Sequence, residues 1–248
     1  MIVLSWNCRG LARPAAIQAL KVWRRRYKVD CLFLIETKVG RDQMDKVRFE
    51  LDFEFGVFIP ALGLAGGFCL LWNKEANLKV ARVRETSFEC WVSDPSGGKD
   101  WTLFAIYGTS YKEQKDDFWE EVASYVKRCQ SPWAVVGDLN VILEKDDKYG
   151  GRMVSYRDCE ILSSFLEETG GIDLGFHGCK FTWRNKRDNG KLIRERIDRV
   201  LVDTDWLTLY PKAGVRNLPI VASDHGPILF DSLMCKRRGS GIFRFYEA

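Results

Sequence analysis

Cys31-Leu32-Phe33-Leu34-Ile35 is an unbroken apolar run of strand length that stops on Glu36-Thr37. A run with no polar alternation suits a strand buried on both faces. Working outward, Ile2 to Trp6 predicts a strand on its N-terminal side. Residues 14–27, with Ile17, Leu20, Trp23 and Tyr27 near helical spacing, predict a helix between the two. Further strands are expected at Phe55 to Ile59, Gly67 to Trp72, Leu78 to Val83, Phe88 to Val92, Trp101 to Tyr107 and Trp133 to Gly137. Late ones are expected at Phe181 to Trp183, Ile197 to Val202 and Ile228 to Phe230. Helices are expected at 41–51 and 114–129, and from a capping box at Ser155-Tyr156-Arg157-Asp158 to about residue 168. Strands outnumber helices and no repeat or clear linker intervenes. The expectation is one α/β domain over residues 1–233, with two sheets packed face to face and helices outside. Residues 234–248, with Lys236-Arg237-Arg238-Gly239-Ser240-Gly241, read as a polar tail or linker.

Composition narrows the function classes. The chain has 248 residues, 46% hydrophobic and 29% charged, an ordinary globular balance. A formal net charge of +4 permits nucleic-acid binding without demonstrating it. The eight cysteines include no CxxC pair, which argues against a structural zinc site. They read as reduced thiols of the cytosol or nucleus. No apolar run approaches the roughly 20 residues that span a bilayer, so no membrane partner is expected.

Five short segments set acid, amide or imidazole groups beside apolar runs. They are Ser5-Trp6-Asn7, Leu34-Ile35-Glu36-Thr37, Gly137-Asp138-Leu139-Asn140, Arg196-Ile197-Asp198-Arg199 and Ser223-Asp224-His225. Glu36 is costly to bury unless it meets a cation or donor. Asp138 could orient or deprotonate a water. Asn140, two residues on, would share its side of a strand and could donate to a phosphoryl oxygen. The plainer reading of Gly-Asp-Leu-Asn is an Asx turn. His225, one of only two histidines, could act as acid, base or transition-state donor, with Asp198 holding its tautomer. The other, His177, lies in a Gly-rich loop with no acid beside it and reads as bland. Tyr107 could bring its hydroxyl to a phosphate, or pack in the core. Trp183 could stack on a nucleotide, or also be core. Arg184 and Arg196 lie in the most basic stretch, 184–199, which could neutralise phosphates or form a solvated hairpin face.

Together these segments resemble the endonuclease/exonuclease/phosphatase superfamily over nearly the whole chain. Trp6-Asn7-Cys8-Arg9-Gly10, Gly66-Gly67-Phe68, Phe181-Thr182-Trp183 and Arg196 to Leu201 resemble the apurinic-like endonuclease domain of plant LINE-type (non-LTR) retrotransposons. Phe243-Arg244-Phe245 is similar to the linker that leads to reverse transcriptase there. No polymerase follows, so an isolated or truncated domain is expected.

The resemblance implies a DNase I-like four-layer sandwich of two mixed sheets flanked by helices, and a magnesium ion, with manganese as the alternative. It implies Glu36, Asn7 and Asp224 as the metal set. Asp138, Asn140, Asp198, His225 and Tyr107 are implied as the catalytic set, and Trp183, Arg184 and Arg196 are the candidate DNA contacts. The implied function is nicking of DNA to leave a 3′-hydroxyl, by a nuclear monomer. A phosphatase, an abasic-site repair enzyme and an inactive DNA-binding remnant stay open. Two departures stand out: Arg9 replaces an acid common in the family, and Tyr107 leads into Gly108-Thr109-Ser110 rather than Pro-Asn.

Overall fold

The computed structural model describes residues 1–61, 66–94, 98–186 and 192–234. The tail beyond residue 234 and residues 187–191 of the basic stretch lie outside the described residues.

The first half of the chain forms β1 (Ile2–Asn7), α1 (Pro14–Tyr27), β2 (Cys31–Ile35), α2 (Arg41–Glu50), β3 (Phe55–Ile59), β4 (Phe68–Trp72), β5 (Leu78–Val83), β6 (Ser87–Val92) and β7 (Trp101–Tyr107). Next come α3 (Lys115–Lys127), β8 (Trp133–Asp138), β9 (Lys148–Tyr149), α4 (Tyr156–Thr169), β10 (Gly171–Asp173) and β11 (His177–Gly178). The remainder is β12 (Trp183–Lys186), β13 (Leu192–Glu195), β14 (Asp198–Asp203), α5 (Thr204–Leu209), β15 (Gly214–Asn217) and β16 (Ile228–Asp231).

Two mixed sheets carry the fold. One has seven strands in the order β11-β15-β16-β1-β2-β4-β3, the other six in the order β10-β14-β8-β7-β6-β5. Side-chain alternation explains the layering. Phe33 and Ile35 of β2 point into the space between the sheets, where they meet Phe88, Leu103 and Val136 of the second sheet. Leu32 and Leu34 point the other way, onto Ile17, Leu20 and Trp23 of α1. On the far side, Phe104 and Val135 of the second sheet pack on Trp119 of α3 and Leu162 and Phe165 of α4. The layers therefore run helix, sheet, sheet, helix, as expected.

A third sheet was not anticipated. It is small, β12-β13-β9, and it carries Trp183. Its strands are two to four residues long, too short for periodicity to register. The expected strand at Phe181 to Trp183 begins only at Trp183. α4 opens as the capping box suggested, with the Asp158 carboxylate accepting from the Ser155 N–H at 2.8 Å. The seven described cysteines are free, and no helix among the described residues is long and apolar enough to cross a membrane.

Register brings the chemistry to one end of both sheets. Asn7 closes β1 and pairs with Ile35, the residue before Glu36. Tyr107 closes β7 and pairs in parallel with Asp138, which closes β8. Asp198 opens β14 directly opposite Asp138.

Candidate active site

Asp138 is delivered by Gly137. That glycine has φ +151°, and a Cβ there would collide with the Ile106 carbonyl of β7. Only a glycine lets β8 approach β7 this closely as it ends. Asp138 is 1% exposed. Its Oδ2 accepts from Asn7 Nδ2 at 3.0 Å, and its Oδ1 accepts from the Asn140 N–H at 3.2 Å. Burial pushes the Asp138 carboxyl well above the ordinary range, and the Asp198 charge adds to the rise.

His225 is equally buried, with Nδ1 3.1 Å from Asp198 Oδ2 and 3.8 Å from Asp138 Oδ2. Burial works against its proton. The charges of Asp198 and Asp138 prevail and lift its pKa to about 9. The ring carries the proton at neutral pH, with Nδ1 aimed at Asp198 and Nε2 left for other contacts. Two tethers hold this arrangement. Trp6 Nε1 donates to the His225 carbonyl at 3.0 Å, and Thr182 Oγ1 accepts from the Asp198 N–H at 3.1 Å. Asp198 Oδ1 is buried and has no protein partner among the described residues.

Glu36 follows β2 in the left-handed region, φ +52°. The non-glycine residues Arg9, Lys38 and Asn140 share that strained conformation. Glu36 Oε1 accepts from Asn7 Nδ2 at 3.0 Å and from the Tyr107 hydroxyl at 3.2 Å. Its Oε2 lies 3.5 Å from Arg9 and 3.2 Å from Lys38. Burial opposes ionisation of Glu36, yet the Asn7 bond and the two cations hold its pKa below the ordinary value. Asp224 is more open. It accepts from Trp183 Nε1 at 3.1 Å and pairs with Arg9 Nε at 3.2 Å.

Of the residues singled out from sequence, Asn7, Glu36, Tyr107, Asp138, Asn140, Asp198, Asp224, His225 and Trp183 are linked in this one network. Two expectations are corrected. Asn140 does not share a strand face with Asp138, because β8 ends at Asp138 and Asn140 turns left-handed, φ +53°. The Asx turn forms, and the Asn140 amide donates to the Gly108 carbonyl at 2.8 Å. Arg196 is not available for a phosphate. Its buried guanidinium donates to Asp173 at 2.9 Å and faces Asp147 at 3.7 Å. Arg184 remains exposed on β12, while Trp183 is half-buried. His177 sits exposed in β11 at the far edge of the seven-stranded sheet, outside the network. Sequence reasoning passed over Lys38, Trp6 and Thr182 as site-builders. A basic residue two after Glu36 was the only available signal for Lys38.

Two donor groups could hold an ion. Ligand atoms of Asp138, Asp198 and His225 lie within 4.8 Å of one another. A nitrogen and two carboxylates would suit a transition metal, but the His225 nitrogen that faces the carboxylates is already engaged by Asp198. Magnesium takes oxygen ligands and keeps several waters. The Glu36 and Asp224 carboxylates with Asn7 Oδ1 are an all-oxygen set, open on the Asp224 side, and they fit magnesium better. A cleft of about 710 Å³ runs between α3 and α4 and meets the network at Asn140. Lysines and arginines alternate there with acids, so it is not a phosphate path.

The fold recurs in solved structures of low sequence identity. The AP endonuclease LMAP from Leishmania major aligns at TM-score 0.71 and 17% identity, over 92% of this chain and 86% of that one. The 3′ phosphatase NExo from Neisseria, bound to a product DNA hairpin, aligns at 0.72 and 15%, over 93% and 98%. The endonuclease domain of TRAS1, a telomere-specific non-LTR retrotransposon, aligns at 0.65 and 19%, over 95% and 99%. No curated protein matches the sequence. The family model described as endonuclease/exonuclease/phosphatase matches residues 4–225, a span that opens on β1 and closes on the histidine of the network. The chain belongs to the endonuclease/exonuclease/phosphatase family.

Proposed function

We propose that this protein is a magnesium-dependent DNA endonuclease that hydrolyses one phosphodiester and leaves a 3′-hydroxyl. The observation that carries the reading is the buried His225 ring, its Nδ1 3.1 Å from Asp198 Oδ2 and 3.8 Å from Asp138 Oδ2. A base works best with its pKa near the working pH, and burial moves Asp138 that way. Asp138 takes the proton of the attacking water. The water oxygen bonds to phosphorus, the P–O3′ bond breaks with its electrons on O3′, and O3′ takes a proton from solvent to become the 3′-hydroxyl. His225 donates to the oxygen on which charge builds, a role that gains strength in a water-poor site. Tyr107 and Asn7 keep Glu36 in place, and Asn140, one amide hydrogen held by the Gly108 carbonyl, has the other for the phosphate. Glu36, Asp224 and Asn7 would hold the magnesium, which neutralises phosphate charge when bound.

The DNA substrate is supported by the exposed Arg184 next to Trp183, and by the resemblance to retroelement endonucleases, where a nick's 3′-hydroxyl primes reverse transcription. On this reading the protein works in the nucleus as a monomer. The test is nicking of supercoiled plasmid with magnesium, with EDTA, and with His225→Ala. Nicking that needs both the ion and His225 supports the reading. Release of phosphate from a 3′-phosphoryl end without nicking points to a phosphatase. DNA binding without turnover points to an inactive remnant.

A further inference from the structure

Arg9 touches every member of the oxygen set assigned to magnesium. Its backbone N–H donates to Asn7 Oδ1 at 3.3 Å, one guanidinium nitrogen lies 3.5 Å from Glu36 Oε2, and Nε lies 3.2 Å from Asp224 Oδ1. The placement is built into the chain. Arg9 is left-handed, φ +51°, and Arg13 donates to its carbonyl at 3.2 Å and to that of Cys8 at 2.8 Å. A planar guanidinium with donors on two edges can bridge two carboxylates, which a lysine ammonium does less well.

We propose that Arg9 is a tethered cation that shares Glu36 and Asp224 with the divalent ion, so that ion binding displaces its side chain. The proposal rests on the metal set assigned above. Without an ion, Arg9 bridges the two carboxylates, sharing the neutralisation of Glu36 with Lys38. With an ion, the guanidinium swings out over the site, and its 40% exposed side chain is free to do so. The price is weaker metal binding. Partly exposed ion pairs are individually weak, so losing two of them should tighten divalent binding roughly tenfold.

The experiment is titration of the protein with Mn2+, free ion being read by electron paramagnetic resonance in the absence of DNA. Wild type, Arg9→Gln, Arg9→Lys, Glu36→Gln and the Arg9→Gln/Glu36→Gln double variant are compared. Thermal melts in EDTA report folding. The expected result is roughly tenfold tighter Mn2+ binding for Arg9→Gln, an intermediate value for Arg9→Lys, and loss of the gain in the double variant. Equal or weaker binding by folded Arg9→Gln, with Glu36-dependent binding in wild type, overturns the role of Arg9 alone. Mn2+ binding indifferent to Glu36→Gln overturns the metal assignment and this proposal with it.

Discussion

Asp198 and Arg199 are neighbours on β14 and point to opposite faces, and each anchors a buried group of charges. Arg199 joins Arg196, Asp147 and Asp173, two cations against two anions, with Arg199 bonded to both aspartates. Asp198 joins Asp138 and His225, two carboxylates against one imidazole. The first group is charge-balanced. Its only loose ends are the Nε–H groups of both arginines, which lack partners among the described residues. The second group is unbalanced. Burial, with the Asp198 charge added, raises the Asp138 carboxyl, and the two carboxylate charges raise His225 against burial. Balanced burial holds structure together, while unbalanced burial stores a readiness to exchange protons.

Breaking the balanced group should have the larger effect. Arg199→Ala leaves two buried carboxylates facing one arginine and should cost about 3–5 kcal/mol in a urea melt. Nicking per folded molecule should survive. A loss well under that range would mean the two groups are not different in kind. On the other face, His225→Ala should slow plasmid nicking on the order of a hundredfold, with the circular dichroism unchanged.

The pH dependence sharpens the contrast further. In the metal-free protein the folded His225 pKa of about 9 exceeds its ordinary 6.5. Its contribution is complete below pH 6.5 and disappears as pH rises through 9. Asp138, also raised, has the same sign. Melts in EDTA should therefore lose on the order of 2 kcal/mol between pH 6.5 and 9, and His225→Gln should flatten most of that slope. A flat wild-type profile would mean the second group holds no extra proton. The smallest effect is the most diagnostic. Asp138→Asn removes a carboxylate that the fold holds unwillingly, so at pH 8 it should raise stability by about 1 kcal/mol while nearly abolishing nicking. Destabilisation by Asp138→Asn would place Asp138 in the structural class with Asp147.

Much of the fold was legible. β2, β3, β5, β7 and α1 have the bounds that apolar runs and helical spacing suggested, because each is long enough for its period to register. β9, β11 and the third sheet were not legible, since strands of two to four residues form only because a neighbour is already in place. The site was legible as a set of residue types. Glu36 was nominated because it is costly to bury without a partner, and His225, Asp198 and Asp138 because an imidazole and acids at the ends of apolar runs can move or hold a proton. The misreading of Arg196 has the same root in reverse. A basic stretch signals a need for anions, and it does not say whether they are phosphates or Asp173 and Asp147.

By itself, then, the sequence determined the alternating layers, the ends of the long strands and the inventory of acids, amide and imidazole. Those follow from local periodicity and from the cost of burying each group. The tertiary structure alone decided who faces whom. Asp138 meets Asn7 across 131 residues, and Trp6 reaches the carbonyl of His225 across 219. It decided that Asp198 and Arg199 serve different charge groups, and that Arg9 reaches both Glu36 and Asp224. Charge pairing depends on distance and burial, and over such separations those are set by sheet register and layer packing.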